Sequence, residues 1–249
     1  MLKEERQNFI LNHVKKNGII RVSDVTEVLD VTEMTIRRDL KELENKNKLK
    51  RIHGGAKYID DLTERESSHQ EKLHMNMEYK IIIAKKVSNL IKDNDTVFIG
   101  AGSTLELVSN YLDNKKCKIV TNSLFLFNKI YDKENIESIL VGGRIRKVTG
   151  AFVGNFSDNI VESLHFKSAF IGVNGINYNN AYTYNEQEGE LQKLALDNSV
   201  HKYLVADHTK IGKEDFYSFY NIDEIQAVIS DDKISNDKLP ILKEYTDII

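Results

Sequence analysis

With a single cysteine, Cys117, in 249 residues, the chain makes no intramolecular disulfide and builds no zinc site on cysteines. That economy fits a reducing compartment, and the expected location is the cytoplasm. No apolar run approaches the roughly 20 residues that cross a bilayer, so no membrane partner is expected. No signal-peptide pattern opens the chain. His69 and His74 have no partner cluster at metal-ligand spacing and read as solvated side chains. No metal, cofactor or catalytic residue is assigned. Charge of neither sign dominates, with 35 Lys and Arg against 38 Asp and Glu.

The chain is long enough for a small domain followed by a medium one, each with its own core. Residues 1–60 carry thirteen Lys and Arg against ten Asp and Glu, a net of +3, which leaves −6 for the rest of a chain whose total is −3. A small basic head on an acidic body suits a nucleic-acid reader joined to a domain of another kind.

Val31 to Leu40 reads V-T-E-M-T-I-R-R-D-L. Thr32 is a suitable N-cap for a helix entering at Glu33. Ile36, Leu40 and Leu43 fall on one face, and Met34, Thr35, Arg37, Arg38 and Lys41 on the others. The early residues stand where a helix laid in the DNA major groove meets base edges. The helix before it is expected to open at Ser23 as N-cap, with Val25, Val28 and Leu29 on its buried side. Arg21 and Ser23 join the residues expected at DNA. The spacing alone also suits an amphipathic helical hairpin of any use.

Lys3 to Lys16 reads as a helix ended by Asn17-Gly18, and Ile19 to Val22 as a short extended piece. Leu49 to Ile52 followed by Gly54-Gly55 reads as a small hairpin. Three helices and a hairpin make a winged helix-turn-helix over residues 1–58, whose wing would set Lys50, Arg51 and His53 beside phosphates. Arg6, Ile10, Val14, the T-I-R-R-D-L helix and the Arg51–Ala56 wing resemble the DNA-binding domain of DeoR-type bacterial transcription regulators. The resemblance implies double-stranded operator DNA as partner.

Residues 59–76 are polar, without a steady period, and read as an inter-domain linker. Met77 to Ile91 reads as a helix with Ile81, Ala84, Val87, Ser88 and Ile91 on its packing side. From there short apolar runs alternate with glycine-rich or polar turns and helical patterns, so residues 77–249 are expected to be α/β. The runs are Thr96–Ile99, Ile119–Val120, Ile139–Val141, Ala169–Val173 and Tyr203–Ala206. If they are parallel, their turns share one carboxyl edge, where open α/β sheets bind ligands. The turn Gly100-Ala101-Gly102-Ser103-Thr104 suits a phosphate, since glycines let amides point at an anion and a helix follows. It is also what a tight connection looks like. Lys210, at a later strand edge, supplies a cation or is a solvated loop lysine. Cys117 is expected to pack against an apolar strand, and Asp231-Asp232 to form a strand-end turn.

The DeoR resemblance covers nearly the whole chain, through Glu71-Lys72, Asp95, Thr121-Asn122, Gly142-Gly143, Asn174 to Ile176, Glu188 and Asp207 to Lys210. It implies a sensor domain that resembles ribose-phosphate isomerases and binds a phosphorylated sugar. On that footing Gly100, Gly102, Ser103 and Thr104 cradle the phosphate, with Asn122, Gly142, Gly143, Asn174, Glu188, Asp207 and Lys210 around the sugar. Ser68–Lys72 and Asp207–Phe216 are similar to the lactose phosphotransferase-system repressors of Gram-positive bacteria, whose inducer is tagatose 6-phosphate. Many family members have Lys four residues after the glutamate matching Glu188, where this chain has Gln192. The change removes a contact for an acidic ligand group.

Three functions follow, a repressor of a sugar-utilisation operon relieved by a phosphorylated sugar, a sugar-phosphate isomerase carrying a DNA-binding head, and a winged helix attached to an unrelated protein-binding module. The isomerase would need Glu188 or Asp207 as a base. A homo-oligomer is expected, because one small head buries too little DNA surface for useful specificity.

Overall fold

The computed structural model describes residues 3–17, 19–29, 31–46, 48–52, 54–57 and 66–249. It divides into two compact units, Met1–Arg65 and Glu66–Ile249. Gly18, His53, Tyr58 and residues 59–65 of the expected linker lie outside the described residues.

The first unit runs α1 (Lys3–Asn17), β1 (Ile19–Arg21), α2 (Val22–Leu29), α3 (Glu33–Asn45), β2 (Lys50–Ile52) and β3 (Gly55–Lys57). The three strands form one sheet in the order β1-β3-β2. Apolar residues at helical spacing close its core, Ile10 and Val14 from α1 meeting Ile36, Leu40 and Leu43 from α3. Gly55 is required where the wing crosses β1, because a Cβ there would meet the Ile20 carbonyl at 2.1 Å. Two local expectations need correction. α2 opens at Val22, so Ser23 sits inside its first turn and its hydroxyl turns to Asp24. Val28 is 66% exposed, because Val22 and Val25 supply the buried face that it was expected to share.

The second unit opens with α4 (His69–Leu73) and α5 (Met77–Leu90), then β4 (Thr96–Ile99), α6 (Ser103–Glu106), β5 (Cys117–Thr121), α7 (Leu124–Ile130) and β6 (Ile136–Leu140). A hairpin of β7 (Arg144–Arg146) and β8 (Ala151–Val153), α8 (Asn155–Glu162), β9 (Phe166–Gly172), β10 (Gly175–Asn177), β11 (Asn180–Thr183) and α9 (Glu186–Asp197) follow. The chain closes with β12 (Ser199–Val205), β13 (Tyr217–Asn221), β14 (Ala227–Ile229), α10 (Lys238–Lys243) and β15 (Asp247–Ile248).

Seven strands form one sheet in the order β15-β14-β12-β9-β4-β5-β6, and every pair is parallel. All five apolar runs singled out in the sequence lie in it. Side chains alternate faces along each strand: Val97 and Ile99 enter one core with α5 and α7, while Phe98 enters the other with α9. From β4 the chain first adds strands toward β6, then returns to add β9, β12, β14 and β15 on the other side. The carboxyl ends of β4 and β9 therefore flank a topological switch point, where the loops diverge and leave a crevice.

Residues 66–76, expected as linker, belong to the second unit. Ser68 and Glu71 form a reciprocal capping box that starts α4. His69 is buried rather than solvated: its ring stacks on Phe125 at 4.0 Å between centroids, and Nε2 lies 2.6 Å from Glu106. His74 is exposed. Asn76 takes a left-handed backbone (φ 55°), which asparagine tolerates, and so turns the chain from α4 into α5. Cys117 packs into the core as expected, and burial pushes its thiol up to about 11.

Candidate functional site

The residues of the first unit expected at DNA gather on the outward side of α3. Thr32 caps the helix by accepting from the Thr35 amide, and their hydroxyls lie 3.0 Å apart. Met34 is 81% exposed, and the Arg38 side chain extends into solvent with Glu42 4.0 Å away. Arg37 pairs with Glu33 one turn back at 3.1 Å, an exposed contact that competes weakly with a phosphate. Lys41 and Arg21 are exposed, and Thr35 is partly so. Arg51, on the wing, is held near the end of α3 through Glu44, which accepts its backbone amide at 2.8 Å.

The sequence did not assign what aims this helix. Asp39, 2% exposed, accepts from Arg6 and, at 3.3 Å, from Gln7, so α1 grips the inner side of α3. The carboxylate raises the Arg6 guanidinium above its ordinary range. Arg6 and Asp39 were both legible as parts of the DeoR pattern. Their contact joins residues 33 apart and was not.

In the second unit the crevice at the switch point opens as a cavity of about 110 Å³. Gly102, Ser103 and Thr104 line it from the end of β4, Asn174 from the end of β9, Asp207 and Lys210 from the end of β12, and Glu188 from α9. Four other expected ligand residues do not line it. Asn122 is a brace, its Oδ1 accepting from the Ala101 amide at 3.1 Å while its Nδ2 donates to the Phe152 carbonyl. Gly100 is tied by its amide to the Phe170 carbonyl. Gly142 and Gly143 seat α8, since Ser157 donates to the Gly142 carbonyl and a Cβ on Gly143 would meet that hydroxyl at 2.1 Å.

The cavity wall also contains residues that the sequence left unassigned. Lys72 donates to Asn174 at 3.3 Å, and buried Lys80 donates to the Lys72 carbonyl. Burial lowers the Lys80 ammonium, with Asp207 pulling the other way. Asn76 reaches Asp207 and Thr209. Arg146 bridges Glu66 and Glu188, and Thr149 donates to the same Glu188 oxygen. Burial works against the Arg146 charge, but the two carboxylates outweigh it and hold the guanidinium above its ordinary range. The S-H-Q-E capping pattern was the one signal that could have moved Lys72 and its neighbours out of the linker.

Lys210 differs from the other cations. Its ammonium has no hydrogen-bond or ion-pair partner among the described residues, and burial, with Lys72 adding to it, lowers its pKa to about 8. The N-cap of α6 is Gly102, which supplies no side-chain cap, so the first amides of that helix are left to whatever enters. A half-buried cation with no partner among the described residues, beside open amides, is a place for an anion. Asp231, by contrast, is a strand-end acceptor for His208 and Lys233, as expected.

A winged helix-turn-helix joined to an α/β unit with an anion-ready cavity defines a regulator that carries its own sensor. The chain belongs to the DeoR family: residues 6–61 match the DeoR-like helix-turn-helix domain and residues 75–232 the DeoR C terminal sensor domain. It is 41% identical over 251 residues to the lactose phosphotransferase system repressor of Streptococcus mutans, covering all of both chains. It is 40% identical to the repressor of the same name from Staphylococcus aureus over 251 residues, again with full coverage. The repressor of that name from Lactococcus lactis is 40% identical over 252 residues, with 100% of this chain and 99% of the relative covered. Among solved structures, ribose 5-phosphate isomerase A from Methanocaldococcus jannaschii aligns with a TM-score of 0.41 and 17% identity over 55% of each chain. The eIF2B beta subunit from Chaetomium thermophilum aligns with a TM-score of 0.46 and 11% identity, over 68% of this chain and 54% of that one. No helix among the described residues is long and apolar enough to cross a membrane.

Proposed function

We propose that the chain is a transcription repressor that holds double-stranded operator DNA through α3 and the wing and releases it when a phosphorylated sugar fills the cavity. Full-length similarity to lactose phosphotransferase system repressors supports a lactose or related hexose operon in the cytoplasm, and tagatose 6-phosphate as a first effector to try. The observation that carries the effector reading is Lys210, a half-buried ammonium without a partner among the described residues, on the wall that Gly102, Ser103 and Thr104 share. A phosphate dianion there relieves the desolvation of the lysine and accepts from the open amides.

Sensing is favoured over isomerisation by how the carboxylates are used. Glu188 accepts from Arg146 and Thr149, and Asp207 accepts from the amide and hydroxyl of Thr209 and from Asn76. Both Asp207 oxygens are so occupied, and one oxygen of Glu188 is, which leaves the pair poorly placed to take a substrate proton. The chain should therefore bind sugar phosphates and return them unchanged.

The test is Lys210→Ala in an operator-release titration. A repressor that binds operator with wild-type affinity and no longer responds to tagatose 6-phosphate or its hexose-phosphate relatives supports the reading. Release at the wild-type concentration overturns Lys210 as the anion holder, and turnover of any sugar phosphate by the wild type overturns the sensor.

A further inference from the structure

Glu188 and Gln192 lie one helical turn apart on α9, and both line the cavity. The two are used differently. The Glu188 carboxylate is engaged by Arg146 and Thr149. Gln192 is only 7% exposed, its side chain makes no hydrogen bond among the described residues, and its Oε1 is sealed from solvent without a partner. The other buried side chains near it on the helix, Leu191, Ala195 and Leu196, are apolar and offer it nothing.

A side-chain amide has two donor hydrogens and a carbonyl acceptor, and a buried amide left unmatched lowers stability. Buried polar groups are nearly always paired, so an unpaired one on a cavity wall points to a partner that arrives with the occupant. Rotation of the amide presents either its nitrogen or its oxygen, which suits a hydroxyl or a carbonyl group.

Charge narrows the class of occupant. Three lysines on the wall, Lys72, Lys80 and Lys210, meet three carboxylates, Glu66, Glu188 and Asp207, and Arg146 behind them leaves a single positive excess. Lys72 and Lys80 each have an acceptor, and Lys210 has none among the described residues, so Lys210 is the cation most open to a phosphate. A second anionic group beside α9 would meet a neutral amide.

We propose that Gln192 is the specificity-determining residue of this cavity: its amide reads a neutral hydroxyl or carbonyl of a sugar carrying one phosphate and disfavours bisphosphates and phosphorylated sugar acids. The proposal rests on the reading that the cavity binds a phosphorylated sugar.

The test compares the full-length wild type, Gln192→Met and Gln192→Lys by calorimetric titration. The probes are inorganic phosphate, hexose 6-phosphates including tagatose 6-phosphate, fructose 1,6-bisphosphate and 6-phosphogluconate. Gln192→Met keeps the length of the side chain without the amide. It should bind the preferred hexose 6-phosphate about tenfold more weakly, bind inorganic phosphate unchanged, and melt at or above the wild-type temperature without ligand. Gln192→Lys should shift preference toward the bisphosphate or the sugar acid by at least tenfold relative to the monophosphate. Wild-type hexose-phosphate affinity in Gln192→Met overturns the proposal, as does a ligand-free melt several degrees lower, which would make the amide a structural element. Failure of the underlying reading looks different: the wild type itself then binds neither inorganic phosphate nor any sugar phosphate.

Discussion

The carboxylate of Glu66 lies 2.5 Å from Nη2 of Arg146, and the other terminal nitrogen of that guanidinium holds Glu188. Glu66 is the residue at which the second unit begins, and Glu188 is on the cavity wall. One half-buried cation thus ties the start of the unit to the cavity. Arg146→Met should leave the two buried carboxylates of Glu66 and Glu188 without their cation and cost about 3 to 5 kcal/mol, read as a lower urea midpoint. Adding Glu66→Gln should recover part of the loss. A cost below about 1 kcal/mol would show that solvent already screens the bridge.

Arg37→Ala and Arg38→Ala should each weaken operator binding, because both side chains leave the exposed face of α3. A base contact is worth about 1 to 3 kcal/mol and its loss relaxes sequence preference, whereas loss of a phosphate contact lowers the salt slope by about one unit. Fluorescence anisotropy on matched and scrambled operators across a salt series separates the two. Unchanged affinity in both variants would remove α3 from the groove.

Lys210 gives a pH signature. Burial lowers its pKa to about 8 from 10.5, so between those values the unfolded chain binds more protons and stability from this group rises with pH. A bound phosphate reverses the shift, so sugar-phosphate binding near pH 8.5 should take up protons. Calorimetry in two buffers of different ionisation enthalpy measures the uptake. Lys210→Arg stays charged throughout and should bind without it. Equal enthalpies in both buffers for the wild type would show that the anion sits elsewhere.

Sedimentation of the full chain at micromolar concentration should give at least a dimer, since paired heads are needed to read repeated half-sites. A monomer both free and on operator DNA would contradict it.

The reader helix was legible because its determinants are local. Thr32 caps it, Ile36, Leu40 and Leu43 recur at helical spacing, and Arg37 and Arg38 fall outside by the same period. The five parallel strands were legible as apolar runs with turns, and so was the loop Gly102–Thr104. Short-range rules misplaced smaller things, such as Ser23 as a cap and Val28 as core.

By itself the sequence determined which segments form helices and strands and which turns carry ligand-like chemistry, since caps, periodicity and turn residues act within a few positions along the chain. Only the tertiary structure decided which of those residues meet. It buried His69 against Phe125 and Glu106, made Asn122 a brace for Ala101 and Gly142-Gly143 a seat for α8, and brought Arg146 to partners 80 and 42 residues away. It also left Gln192 without a partner on the wall. Burial and pairing depend on strand order and helix placement across the whole sheet, and no local spacing encodes the distance between a cation and a carboxylate that folding brings together.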